Sequence, residues 1–232
     1  MTYEEMAELL RNRGLELNEK TIERFKIYAA TLKEWNEKMN LTAITDEPEI
    51  VEKHFYDCLL PTDHDLLDDR LVCDLGTGAG FPGMVWAIAY PKSVVTLVDA
   101  TGKKCQFLNE VVSKLNLTNV IVINSRGEDM KSREHFDIVT ARAVAPLNIL
   151  LEVCVPLVKE KGLMIAMKGA KAQEELEKSR NAIQRLSLKV IKMEEASLPE
   201  EESKRYNIFF KKEQKTPNKY PRTWGEIQKK PL

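Results

Sequence analysis

A carboxylate followed by a run of glycines is the feature of this chain best suited to chemistry. In Asp74-Leu75-Gly76-Thr77-Gly78 an acid closes an apolar stretch, Leu71 to Leu75, and two glycines come straight after it. Gly80 and Gly83 follow, with Phe81-Pro82 between them. An apolar run of this length reads as a buried strand, and Met84 to Ala89 reads as an apolar helix entered through Pro82. A glycine-rich turn between a strand and a helix lets the backbone bend sharply and leaves N–H groups facing outward, which makes a cofactor cradle. Gly78 to Gly83 satisfies G-x-G-x-x-G, a pattern that is weak by itself. Asp74 discriminates better, because an anion there repels a pyrophosphate and suits a cation. S-adenosylmethionine carries a sulfonium and an α-ammonium group, so Asp74 argues for it over NAD. Asp99 closes the next apolar run, Val94 to Val98, about 20 residues on, where an acid takes ribose hydroxyls. It suits either cofactor.

The acceptor side must come from the residues that end the later strands. Arg142 follows the run Phe136 to Ala141, Lys168-Gly169 follows Gly162 to Met167, and Arg126-Gly127-Glu128-Asp129 follows Val120 to Ile123. Thr140-Ala141-Arg142-Ala143-Val144-Ala145-Pro146 lacks the Asn/Asp-Pro-Pro-aromatic turn common in methylation of exocyclic amines. Methylation of a pyrimidine carbon needs a cysteine nucleophile, but Cys73 falls inside a strand and Cys154 inside an apolar helix. A ring nitrogen such as guanine N(7) has a free lone pair at neutral pH. It needs placement and exclusion of water rather than a base. Arg142 is therefore expected to hold a guanine oxygen, a phosphate or the cofactor carboxylate, and Lys168 to make a second phosphate contact.

These residues need a scaffold of alternating strands and helices. From Arg70 the chain supplies it, with further helices over Lys103 to Leu115, Pro146 to Val158 and Ala172 to Leu186. Leu188 to Met193 and Asn207 to Lys211 pair as a closing antiparallel hairpin. The pattern implies a doubly wound, mostly parallel sheet with its ligand at the carboxyl ends of the strands. Ahead of it, Thr2 and Glu5 make a capping box, Gly14 stops the first helix, and a second begins near Asn18. That helix carries Ile22, Phe25, Tyr28 or Ala29, Leu32, Trp35 and Met39 along one face as packing surface. A third helix runs from Asp46 toward Leu60. Residues 1–65 thus form a helical cap, 66–213 the α/β core, and 214–232 a basic tail packing on or near it, extended over Pro217 to Arg222.

Charge is unevenly spread. Residues 1–70 hold 9 Lys/Arg against 17 Asp/Glu, 71–203 hold 17 of each, and 204–232 hold 9 against 2. Beside a methyl-transfer site, a basic terminus that includes Arg205, Lys219 and Arg222 is expected to meet nucleic-acid phosphate. Four scattered cysteines without a C-x-x-C spacing read as buried reduced thiols of a cytoplasmic protein. His54, His64 and His135 lack metal-ligand spacing, so no metal is expected. No uncharged run approaches the roughly 20 residues that span a bilayer, and the acidic amino terminus does not read as a signal peptide.

Taken together the residues resemble the small-subunit ribosomal RNA guanine-N(7) methyltransferases, GidB or RsmG. The likeness covers Trp35-Asn36 with Asn40-Leu41-Thr42-Ala43-Ile44, His54 with Asp57, and the Gly76 to Gly83 loop. It continues through Leu97-Val98-Asp99 with Lys103-Lys104, Arg126-Gly127-Glu128, Arg142-Ala143-Val144, Lys168-Gly169, Tyr220-Pro221-Arg222 and Pro231-Leu232. The resemblance implies a Rossmann-like class I methyltransferase fold, with S-adenosylmethionine held at Gly76, Phe81, Gly127-Glu128 and Arg142 and its ribose at Asp99. Asp74 and Gly78 complete the expected cofactor set, and Arg142 and Lys168 the catalytic one. It also implies methylation of one guanine in the 16S rRNA loop near the decoding centre; the expected partner is free 16S rRNA, the small subunit or an assembly intermediate, and the expected state a monomer. The family usually has alanine at the position of Gly127 and arginine at that of Lys104. His54 and Asp57 either face the site or lock the cap, and locking the cap is the expected role. A nicotinamide-dependent oxidoreductase, a non-catalytic ribosome-binding factor and a methyltransferase acting on ribosomal protein are the competing readings.

Overall fold

A computed structural model describes residues 1–62 and 66–232; His64 and the expected boundary at residue 65 lie outside them. Three helical stretches come first. α1 (Tyr3–Arg11) opens on the expected Thr2/Glu5 capping box, and α2 (Glu19–Asn36) is capped by the Asn18 side chain on Thr21 N. Gly14, at φ +89°, turns the chain between them. The third helix is continuous from α3 (Glu47–Ile50) to α4 (Asp57–Leu59), but its middle, Val51–Tyr56, is a π-helix. The widened turn re-aims the side chains that follow, and such segments cluster at functional sites.

Strands and helices then alternate. They are β1 (Leu71–Leu75), α5 (Gly83–Ala89), β2 (Val94–Asp99), α6 (Gly102–Lys114), β3 (Val120–Asn124), β4 (Phe136–Arg142) and α7 (Leu147–Cys154). β5 (Val158–Lys168), α8 (Ala172–Lys178), α9 (Arg180–Arg185), β6 (Leu188–Ser197), β7 (Lys204–Lys212) and α10 (Trp224–Lys229) complete the chain. One seven-stranded sheet has the order β3-β2-β1-β4-β5-β7-β6. β7 is antiparallel to both its neighbours, and the other pairs are parallel. Strand order reverses between β1 and β4, so their carboxyl ends open a crevice there.

Three expectations need correction. The helix predicted over Pro146 to Val158 ends at Cys154, and β5 begins at Val158 rather than Gly162. The charged start of β5 hides its strand character, and a bulge opposite Phe136 and Ile138 breaks its alternation. The helix predicted over Ala172 to Leu186 divides at Ser179, whose hydroxyl donates to Glu175 O in competition with the helix ladder. Pro217 to Arg222 carries no helix, and beyond it Thr223 and Glu226 form a second capping box that opens α10.

The sheet buries apolar side chains on both faces, following the alternation of the strands. Val72, Val95 and Leu97 face a core shared with α2, α5, α6 and the π-helix. Cys73, Leu75, Val98 and Val139 face α7, α9 and α10. The amino-terminal helices are thus continuous with the core of the α/β unit. Phe25, Phe55, Tyr28 and Phe81 pass contact from ring to ring, with centroids 4.9–6.4 Å apart, from the cap into the glycine loop. The Tyr28 hydroxyl donates to Ala79 O, and Trp86 Nε1 donates to Cys58 O at 2.7 Å.

Candidate active site

The glycine loop is built around Asp74. This residue lies on the α5 side of β1 and is fully buried. Its Oδ2 accepts from Thr77 Oγ1 at 2.6 Å and from Gly83 N at 2.7 Å, which clamps both ends of the turn. Burial, against those two hydrogen bonds, pushes its carboxyl up to about 6. Oδ1 is buried without a partner. Gly76, Gly78 and Gly80 all have positive φ, so the turn takes a path other residues rarely follow. An added Cβ would meet nothing within 4 Å at Gly78 but would lie 2.6 Å from Val144 Cγ2 at Gly76. The Gly78 N–H donates to Asp99 Oδ2 at 2.9 Å, and Thr101 N donates to Oδ1 at 2.8 Å.

Two cavities flank the segment Val144-Ala145, which contributes to both. The smaller, about 180 Å³, is apolar along Leu75, Ile149, Leu150 and Val153 and acidic at Asp99 and Glu128. Gly76 and Gly127 line it as well. A Cβ on Gly127 would come within 2.7 Å of Leu75 and Val153 side-chain carbons, so a side chain here would crowd its neighbours.

The larger cavity, about 790 Å³, holds Lys53, Arg142, Lys168 and Arg205. Arg142, the last residue of β4, donates through Nη1 to Asp57 Oδ2 at 3.0 Å and to Lys53 O at 3.2 Å. Its Nη2 lies 3.1 Å from His54 Nδ1, and its guanidinium stands 5.0 Å from the Phe81 ring centroid. Arg205 Nε approaches the other Asp57 oxygen at 3.2 Å. One carboxylate therefore aligns two guanidinium groups. His54 stacks on Phe81 with centroids 4.2 Å apart. Burial, and then the charge of Arg142, lower its imidazolium to about 3, so the ring is neutral at physiological pH. Nδ1 lies between the Arg142 donor and Lys53 O, 3.2 Å away, and Nε2 is 2.9 Å from Thr42 Oγ1. Lys168 Nζ is held by Ala145 O at 2.7 Å and Glu175 at 2.8 Å.

Several expected site residues meet here. Gly76, Asp99, Gly127 and Glu128 line the smaller cavity, and Arg142, Lys168 and Arg205 line the larger. Asp74 and Phe81 support the loop from inside rather than facing a cavity, with Phe81 6% exposed. Lys219 and Arg222 stand apart in a third, basic recess with Arg185 and Lys230. Arg222 is already engaged with Glu152 through Nε at 2.7 Å and Nη2 at 2.6 Å. His54 and Asp57 both line the larger cavity. Among the described residues no group of His, Cys, Asp and Glu could hold a metal, and all four cysteines are buried and free.

A family model for GidB, rRNA small subunit methyltransferase G, matches residues 21–204. The chain belongs to this family. Curated relatives named ribosomal RNA small subunit methyltransferase G agree over the whole length. One from Oceanobacillus iheyensis is 46% identical, covering 100% of both chains. One from Staphylococcus aureus is 44% identical over 100% of this chain and 99% of its own. Among solved structures, a SAM dependent methyltransferase from Aquifex aeolicus aligns over 78% of this chain and 98% of its own, with TM-score 0.56 and 17% identity. M. jannaschii TYW2 in complex with AdoMet aligns over 73% and 79%, with TM-score 0.58 and 16% identity. These two likenesses concern the fold, which is that of the methyltransferases. No helix among the described residues is long and apolar enough to cross a membrane.

Proposed function

We propose that the chain transfers a methyl group from S-adenosylmethionine to N(7) of a guanine in the 16S rRNA loop near the decoding centre, as a cytoplasmic monomer acting on the small subunit or an assembly intermediate. The observation that carries the acceptor assignment is the state of the acids in the larger cavity. Asp57 is paired with Arg142 and Arg205, Glu175 with Lys168, and Glu201 with Arg205. The neighbouring His54 is neutral and hydrogen-bonded through both nitrogens. Such a cavity attracts a phosphate-bearing partner and offers no free base, which suits an atom that is already nucleophilic.

The residues at the smaller cavity fit the cofactor. Gly78 leaves open space beside the loop, Asp99 and Glu128 supply acceptors for hydroxyl and amine groups, and the apolar wall suits a purine. When bound, S-adenosylmethionine supplies an electrophilic methyl group carried on sulfur. Arg142, fixed by Asp57, His54 and Lys53 O, orients the acceptor and holds its anionic neighbours. Val144 stands between the two cavities, and Phe81 backs the Arg142 guanidinium from inside the loop. The guanine gains a positive charge as it takes the methyl group, and no proton has to leave. Membership of a methyltransferase family leaves the nicotinamide reading without support.

The deciding experiment is transfer of labelled methyl to small-subunit RNA, free and assembled, from cells lacking the modification, followed by mapping of the base. Label at a single guanine N(7) is expected, and Arg142→Ala should cut the rate about 100-fold with the fold intact. Label on protein, on another base atom, or nowhere would overturn the assignment.

A further inference from the structure

The carboxyl-terminal segment reaches the smaller cavity, and we propose that Trp224 forms its outer wall and stacks on the adenine ring of the cofactor. This rests on the proposed use of S-adenosylmethionine and names a binding residue from outside the α/β unit. Trp224, the first residue of α10, lines the cavity with Ile149 and Val153 of α7, while the polar lining, Asp99, Ser125, Arg126 and Glu128, comes from the ends of β2 and β3. It is half-buried against the core on that face.

Its position is fixed by more than its own packing. Two residues earlier Arg222 forms a two-pronged pair with Glu152 of α7, and Arg222 N donates to the same carboxylate at 3.1 Å. Glu152 is fully buried, an expensive place for a charge unless it is paired. Three residues later Ile227 is fully buried, and the Thr223–Glu226 capping box sets the start of the helix. Arg133 Nη1 holds Tyr220 O at 2.6 Å on the approach. A tail serving only as a solvated basic arm has no use for an acid buried in the core to receive it. The anchors hold an indole at the rim of an apolar slot whose polar groups lie at one edge. A flat, weakly polar ring with hydrogen-bonding edges matches that arrangement, and aromatic rings bind bases by stacking.

The test titrates the purified full chain with S-adenosylhomocysteine, by calorimetry and by tryptophan fluorescence. The chain has three tryptophans. Trp86 is buried in the opposite core, and Trp35 packs edge-on to Phe107 on that same opposite side. Binding is expected to quench fluorescence in the wild type and in Trp35→Phe, and the quench should vanish in Trp224→Phe. Trp224→Ala should weaken affinity about fivefold or more, while Trp224→Phe stays within about twofold. Unchanged affinity in Trp224→Ala with the quench intact in Trp224→Phe would overturn the inference and leave the cofactor reading standing. If Trp224→Ala does not fold, the quench in Trp224→Phe decides alone. A wild type that binds no S-adenosylhomocysteine overturns the cofactor reading, and this inference with it.

Discussion

At the scale of single residues, Asp74 and His54 are buried titratable groups near the crevice whose charge is opposed by their surroundings, and they respond to pH in opposite directions. Asp74 titrates near 6 in the folded chain, well above the ordinary carboxylate range near 4. Between those values the folded state binds the proton more tightly than the unfolded one. Its contribution is therefore most favourable below pH 4, is lost as pH rises to 6, and stays lost above. His54 is lowered to about 3, so the unfolded chain binds the proton more tightly up to its ordinary value near 6.5. Its contribution is lost as pH falls through that range. Asp74→Asn should accordingly be stabilised relative to wild type above pH 6, and the gain should disappear below pH 4. Two pKa units correspond to about 3 kcal/mol as an upper bound on the pH-dependent part of the difference. Denaturant unfolding at pH 4, 6 and 8 measures it, and a difference constant across that range would show that Asp74 is ionised without penalty.

At the scale of elements, much of the site was legible because strand ends are legible. Asp74, Asp99, Arg142 and Lys168 each close an apolar run, and the doubly wound pattern brings those ends to one edge. The smaller cavity between β1, β3, β4 and α7 could be anticipated from Gly76 and Gly127. What could not be read was depth. An acid at a strand end looks alike whether it faces a cavity or, as with Asp74, lies wholly beneath a loop, since alternation fixes the face and not the access. Nor could the π-helix be foreseen, because one extra residue in a helical turn leaves no mark of its own in the mixed run Val51 to Tyr56. The strand character of Val158 to Lys161 was hidden by charge, and the partner of Arg222 lies 70 residues away in α7. The glycine loop itself separates two kinds of constraint. Gly78→Ala meets only the cost of φ +59° and should lose about 1 kcal/mol of stability. Gly76→Ala meets a comparable φ of +69° and also displaces Val144, which divides the cavities. It should lose more stability and in addition weaken S-adenosylhomocysteine binding about tenfold or more. Equal affinity in the two variants, by calorimetry, would mean that Val144 is free to move aside.

At the scale of the whole molecule, the basic terminus has two roles that deletion alone would confuse. Residues 204–232 carry 9 Lys/Arg, but Arg205 is paired with Asp57 and Glu201, Arg222 with Glu152, and the Lys212 amine is buried against Glu134 and two backbone carbonyls. Much of that charge therefore holds the fold together. Removing 217–232 strips Glu152 of its counter-charge and uncovers the sites of Tyr220 and Ile227. Breaking a buried pair from one side costs about 3–5 kcal/mol, a large share of the stability of a domain this size. The truncated chain should unfold at markedly lower denaturant and lose cofactor affinity together with RNA affinity. Lys219 and Lys230 are exposed at the basic recess beside Arg185, with the Lys219 amine 5.3 Å from the Tyr220 ring centroid. Lys219→Gln with Lys230→Gln should leave the unfolding midpoint and S-adenosylhomocysteine binding unchanged. The slope of log affinity for small-subunit RNA against log salt should become shallower by about 0.7–0.9 per phosphate contact removed. A slope equal to wild type would place the RNA contacts in the Arg142 cavity alone. A loss of stability in that double variant would show that these lysines, like Arg222, belong to the scaffold.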